Sequence, residues 1–204
     1  MLAQTAMKAV SCSATRSLWI LSFLVDHMRK GLLAFTSILS PVVALHAHAE
    51  IYMSDAQAAS TIFPGGKFEK QSLELKDDEV ERIKKESGEN VRSRKLTVFR
   101  AEGAKKDLVY VDQVLGKHEF ITYAVGIDSN GQVAGIEVLE YRESYGQDIR
   151  KAEWRKQFHG KDLSAPLKIG KDIQNISGAT LSSSHITAGV RRVLKTHEVI
   201  ASRL

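Results

Sequence analysis

Cysteine is almost missing from this chain of 204 residues: Cys12 is the single example. Removal of the N-terminal segment would leave none. That excludes disulfides, thiolate metal sites, cysteine-held iron–sulfur clusters and a CxxCH haem attachment. Histidine does not replace it, because the seven histidines form no ligand spacing. His46 and His48 lie near the N-terminus, and His118, His159, His185 and His197 are scattered. There is no zinc signature, no dinucleotide-type G-x-G-x-x-G, and no G-x-S-x-G setting around Ser177. A one-signed charge is also missing. The formal net charge is +5, but residues 1–49 hold four basic residues against Asp26, and the remainder carries 25 basic against 23 acidic. A balance so close leaves no electrostatic footprint for nucleic acid.

Long apolar runs are scarce too, and the longest has a specific setting. Met28-Arg29-Lys30 is basic, Gly31 to Leu45 is uncharged, and Ala47-His48-Ala49 offers an A-x-A site before Glu50. Basic, apolar, small is the order of a secretory signal. The run is shorter than the roughly 20 residues of a spanning helix, and Pro41 opposes a regular one. Residues 1–49 are therefore expected to be an export signal, with translation starting either at Met1 or at Met28. No cysteine near the cleavage site suggests a lipid anchor. The expected mature domain is 50–204, long enough for one hydrophobic core, and extracytoplasmic, in a periplasm or its equivalent.

Within it, Ser54-Asp55-Ala56-Gln57 resembles a capping box and predicts a helix to about Phe63. Pro64-Gly65-Gly66 ends it. Lys67–Leu75 alternates as a strand does. Asp77 is placed to cap a helix over 78–86 that stops at Gly88, with its charges on a solvated face. Lys95–Arg100, Leu108–Leu115, Phe120–Ile127 and Gln132–Tyr141 read as strands. The last two flank Asp128-Ser129-Asn130-Gly131, and Asn-Gly is a strong hairpin signal. Ile149–Phe158 reads as helical. A final helix is expected from about Leu181, with Ile186, Val190, Val193, Leu194 and His197 as its buried stripe. Arg191, Arg192 and Lys195 lie on its other faces and suit its C-terminal dipole. The fold class is α+β, an antiparallel sheet with helices packed on it.

The chemistry-bearing stretch is Ile176-Ser177-Gly178-Ala179-Thr180-Leu181-Ser182-Ser183-Ser184, where a loop enters that helix. Gly178 and Ala179 let a ligand approach the backbone. Thr180 or Ser182 can cap, and a helix N-terminus favours a phosphate, aided by hydroxyls from Ser182 to Ser184. On these residues alone, an anion site and an ordinary capped helix fit equally well.

Ser177-Gly178-Ala179-Thr180-Leu181-Ser182-Ser183, with Asp172 upstream, resembles the flavinylation motif of FMN-binding domain proteins. That family includes the flavin-carrying subunits of sodium-pumping quinone reductases and ferredoxin-dependent complexes. Glu143-Ser144-Tyr145-Gly146 is similar to the family's Glu-x-x-Gly turn, and Trp154 and Phe158 follow in a region often aromatic there. The resemblance is close over about Tyr141–Leu194 and looser back to Glu50. It implies covalent FMN at the start of the C-terminal helix, moved from FAD onto the Thr180 hydroxyl by a flavin transferase as a phosphoester. It implies Asp172, Ser177, Gly178, Ala179, Leu181 and Ser182 as motif and pocket. Two readings stay open for each of the turn residues: Glu143 orients the turn or is a solvated charge, and Tyr145 stacks on the ring or packs within the turn. It assigns no catalytic residue and no metal. Electrons would pass between a membrane reductase or electron-transfer complex and an acceptor. Two other readings remain: a flavin reductase acting directly on a small substrate, and a non-redox binding module with a vestigial site.

Overall fold

A computed structural model describes residues 50–103 and 106–204. The expected export signal over 1–49 lies outside the described residues. Among them, no helix is long and apolar enough to cross a membrane.

The centre is a six-stranded antiparallel sheet. Its strands are β1 (Glu50–Ile51), β2 (Phe68–Glu74), β3 (Lys95–Ala101), β4 (Leu108–Leu115), β5 (Phe120–Ile127) and β6 (Val133–Tyr141). Their order is β1-β6-β5-β4-β3-β2, so β2 to β6 form an uninterrupted meander and β1 closes onto β6. The β4–β5 ladder runs from Leu108↔Ile127 to Leu115↔Phe120. The Asn-Gly hairpin is present but is not a two-residue turn. Gly131 donates its amide to the Asp128 carbonyl at 2.9 Å, and the Asp128 amide donates to the Gln132 carbonyl at 2.9 Å. Gly131 has φ +77°, and the Asp128 carboxylate accepts from the Asn130 and Gln132 amides, both at 2.9 Å. A short polar side chain completes a loop that a tighter turn would not need.

Strand β5 is buried along nearly its whole length because both faces of the sheet are covered. Helix α1 (Asp55–Ile62) lies on one face, where Ala58 and Ala59 meet Phe99, Val109, Ala124 and Leu139. It comes so close that a Cβ on Gly126 would sit 2.4 Å from Ile62. Its capping box is as expected: Ser54 Oγ accepts from the Gln57 amide, and Gln57 Oε1 from the Ser54 amide. The other face carries the larger core, roofed by α2 (Asp77–Ser87) and by α4 (Thr180–Ile200), beyond the short α3 (Ala152–Arg155). The stripe of α4 packs as predicted, with Ile186, Val190, Val193 and Leu194 buried. His197 is half-buried, its Nδ1 2.9 Å from the Tyr110 hydroxyl.

Four expectations need correction. The N-cap of α2 is Lys76, not Asp77, and the cap is made by Glu79 reaching back to the Lys76 amide at 2.8 Å. Glu79 is not on a solvated face: it is buried and paired with Arg203 at 2.6 Å. The segment 149–158 is not one helix. Lys151, at φ −61° and ψ 128°, is extended and divides a 3-10 turn (Gln147–Arg150) from α3 and a second 3-10 turn (Lys156–Phe158). Arg192 is not on an outer face either. It is 6% exposed, and it donates to Asp112 Oδ2 at 2.6 Å and to the Gln113 carbonyl at 3.0 Å. Tyr123 donates to the same carboxylate oxygen at 2.9 Å. An apolar stripe alone does not reveal an arginine whose charge is met from beneath by a strand.

Candidate functional site

The start of α4 is built by three segments. The first is the loop 176–179 entering the helix. Gly178 adopts φ +82°, with open space where a Cβ would stand. Ala179 is the N-cap at φ −131°, buried, its amide donating to the Ile176 carbonyl at 3.0 Å. Neither Thr180 nor Ser182 caps the helix, contrary to expectation, and no side chain does so. The first amides of a helix have no partner within it, so this terminus keeps donors and positive potential for a ligand.

Thr180 is the first helical residue and is exposed. Asn175 Nδ2 donates to its Oγ1 at 3.2 Å. Asn175 Oδ1 accepts from Ser183 Oγ at 2.9 Å, and that hydroxyl also lies 3.1 Å from the Thr180 carbonyl. Ser183 is fully buried. Ser177 is exposed. Ser182 is buried and turned inward, its Oγ 3.2 Å from the Tyr141 hydroxyl.

The second segment is the turn after β6. Tyr141 donates its hydroxyl to the Tyr145 carbonyl. Gly146, at φ +93°, packs so tightly that a Cβ would stand 2.6 Å from that hydroxyl and 2.9 Å from Ala179 Cβ. Glycine is required here on both conformational and steric grounds. The turn is thereby clamped against the helix start, while Tyr145 itself is 83% exposed. Glu143 reaches the β4–β5 connection: its Oε1 accepts from the His118 amide at 2.6 Å and the Glu119 amide at 3.1 Å. Burial pushes the Glu143 carboxyl up, but the amides of His118, Glu119 and Lys117 outweigh it and hold it below the usual carboxylate range. Its geometry is that of a brace between two turns.

The third segment is the loop 161–175. Asp172 accepts from the Lys168 amide at 2.9 Å and the Leu167 amide at 3.2 Å, and pairs with Lys161 at 3.0 Å. Burial raises its pKa, while these partners lower it further, so the carboxylate stays ionised below its ordinary value. Leu167 is buried at φ +42°, a strained position that this carboxylate helps hold. Trp154 belongs to the core: its Nε1 donates to the Gln174 carbonyl at 2.8 Å, and its ring meets Phe158 edge-on. His185 Nδ1 contacts the Leu115 carbonyl.

The structure thus brings Thr180, Ser177, Gly178, Ala179, Leu181, Ser182 and the Tyr145–Gly146 turn together at one helix start. It places Glu143 and Asp172 in supporting positions behind it. Asn175 and Tyr141 are residues that the sequence pattern does not single out, and Ser183, expected there to aid a phosphate, turns inward to Asn175 instead. An amide residue five positions before Thr180 carries no spacing signal, because the loop between them sets which atoms meet.

The residues fit FMN. Its phosphate suits the uncapped amides and the open space at Gly178. Leu181, 47% exposed, follows Thr180, and the exposed Tyr145 belongs to the turn packed on Ala179, so exposed apolar surface for a ring lies at this helix start. Among the described residues, no group of three or more His, Cys, Asp or Glu is placed to hold a metal.

Comparison with known proteins agrees. Residues 116–195 match the family model described as FMN-binding domain. The G subunit of the ion-translocating oxidoreductase complex of Stutzerimonas stutzeri is 31% identical over 86 residues, covering 37% of this chain and 38% of that protein. Its namesake in Aliivibrio fischeri is 30% identical over 110 residues, 47% of this chain and 51% of that protein. The G subunit of the Na(+)-translocating ferredoxin:NAD(+) oxidoreductase complex of Acetobacterium woodii is 28% identical over 82 residues, 36% and 40% of the two chains. The chain thus spans between 38% and 51% of the length of these relatives. Family model, relatives and site geometry point the same way: residues 116–195 resemble an FMN-binding domain, and the chain is similar over this region to the G subunits of ion-translocating oxidoreductase complexes.

Proposed function

We propose that this chain holds FMN as a phosphoester on Thr180 Oγ1, outside the cytoplasm, and relays electrons between a membrane-bound electron-transfer complex and an acceptor. The observation that carries this reading is the Thr180 hydroxyl itself. It is exposed at an uncapped helix start, followed by the exposed Leu181 and preceded by Ala179, on which the Gly146 turn with the exposed Tyr145 packs. In the attachment step, Thr180 Oγ1 bonds to the flavin-side phosphorus of FAD. The pyrophosphate bond breaks, AMP leaves, and the hydroxyl proton goes to solvent or to the flavin transferase. The helix amides then face a phosphodiester anion, and Gly178 gives it room.

Bound in this way, the flavin supplies reversible one- and two-electron chemistry with its ring unmodified. The protein's part is to orient the ring against Tyr145 and Leu181 and to prevent loss of the cofactor where free flavin would diffuse away. The relatives' names, an ion-translocating oxidoreductase and a ferredoxin:NAD(+) oxidoreductase, support a membrane complex as partner. The basic, apolar and small-residue order of residues 28–49 supports export.

The test is the intact mass of the full chain, co-expressed with a flavin transferase and exported. The expected adduct is FMN less one water. Thr180→Ala removes it and leaves the fold intact; an adduct that persists in this variant sinks the assignment. N-terminal sequencing of the exported protein should begin at Glu50.

A further inference from the structure

The attachment threonine is not held by its own helix. Its oxygen receives a hydrogen bond from Asn175 Nδ2 at 3.2 Å, across a loop that includes the open, positive-φ Gly178. Asn175 is exposed and would swing freely if nothing fixed its carboxamide. Ser183 fixes it: its hydroxyl, fully buried one turn into α4, donates to Asn175 Oδ1 at 2.9 Å. Because Oδ1 is occupied by a donor, the face of the amide turned to Thr180 is the N–H face.

The polarity of this contact matters for chemistry. Thr180 Oγ1 acts as acceptor, so its own proton stays free to be removed. As the proton leaves and negative charge gathers on the oxygen, the Asn175 N–H···O contact becomes charge-assisted and strengthens. A donor that is already aimed at the developing anion needs no reorganisation during the step. The same donor is then beside the bridging oxygen of the phosphoester.

We propose that Asn175, locked by Ser183, is a positioning residue for flavin attachment: it orients the Thr180 hydroxyl and stabilises the charge that develops on it as the phosphoester forms. This inference rests on the reading of Thr180 as the attachment site. It adds a donor from outside the Ser177–Ser183 run and gives one serine of that run a role in fixing an amide rather than in contacting phosphate.

The test is a time course on the full chain, purified in detergent without flavin and mixed with a purified flavin transferase and FAD. Attachment is read as flavin fluorescence on the denatured chain and as intact mass. Asn175→Ala should slow attachment about 10- to 100-fold, by lowering kcat with KM for the chain unchanged. The melting midpoint should stay near that of the unsubstituted chain, because Asn175 is exposed and the buried Ser183 hydroxyl keeps the Thr180 carbonyl, 3.1 Å away, as an acceptor. Ser183→Ala should slow attachment in the same direction, and the double variant should be no slower than Asn175→Ala alone, since both changes disable one donor. Asn175→Ala reacting at the unsubstituted rate overturns the proposal, as does strict additivity of the two changes. Failure of the unsubstituted chain to react, or an adduct retained in Thr180→Ala, overturns the attachment site itself and this inference with it.

Discussion

The two ends of helix α4 treat polar side chains in opposite ways. Toward the C-terminal end, Arg192 is buried, and its guanidinium is matched by Asp112 and by the Gln113 and Asn90 carbonyls. At the N-terminal end, Thr180 is exposed and no side chain caps the first turn. One end uses polarity to hold the helix on the sheet. The other leaves donors unspent, at some cost to helix stability, where a ligand can take them. Side chains of similar polarity thus serve packing or chemistry according to whether the fold completes their hydrogen bonds.

The comparison breaks first at Arg192. Arg192→Ala leaves Asp112 without its cation and should destabilise the fold by about 3–5 kcal/mol, read by urea unfolding. A change under about 1 kcal/mol would mean that the two ends do not differ in structural weight. Next is Gly146→Ala, which forces a side chain onto the Tyr141 hydroxyl and Ala179. It should cost about 1–3 kcal/mol and slow flavin attachment, because it lifts the Tyr145 turn from the helix start. Unchanged attachment would show that the turn and the threonine act independently.

A smaller effect belongs to His197. Burial pushes its pKa below the ordinary 6.5, so the unfolded chain binds that proton more readily than the folded one. Stability from this group is present above about pH 6.5 and falls as pH drops through the lowered folded value. His197→Gln should flatten the pH dependence of the melting midpoint in that window; an equally steep dependence would locate its source elsewhere. The smallest effect is expected at Thr180. Thr180→Val should shift unfolding by no more than about 0.5 kcal/mol, although the proposed attachment would require the missing hydroxyl. A large loss of stability would place the residue with the packed end of the helix.

The meander and the amphipathic stripe of α4 are legible in the sequence because alternation and helical spacing record which face is buried. The capping box at Ser54 is equally plain, since its partners lie three residues apart. What is not legible depends on tertiary meetings. Arg192 reads as a surface charge until β4 brings Asp112 beneath it. Lys151 divides 149–158 without a proline or glycine to announce it. Ser182 and Ser183 read as ligand hydroxyls, yet both turn inward, one to Tyr141 and the other to Asn175. The motif points to a helix start, but the division of labour within it depends on which hydroxyls face the core.

The unbroken strand order has a consequence for how the site comes into being. From β2 to β6, each new strand pairs with the one before it, so the sheet can grow by successive hairpins with little loop-closure penalty. The Thr180 loop and α4 follow the whole sheet in the sequence and so are synthesised after it. They arrive at a sheet that can already be assembled, and Asn175, Ser183 and Thr180 come into register only when the helix docks. If flavin is attached at Thr180 as proposed, a modifying enzyme that requires this register would read completion of folding, and the cofactor would become a mark carried by finished molecules.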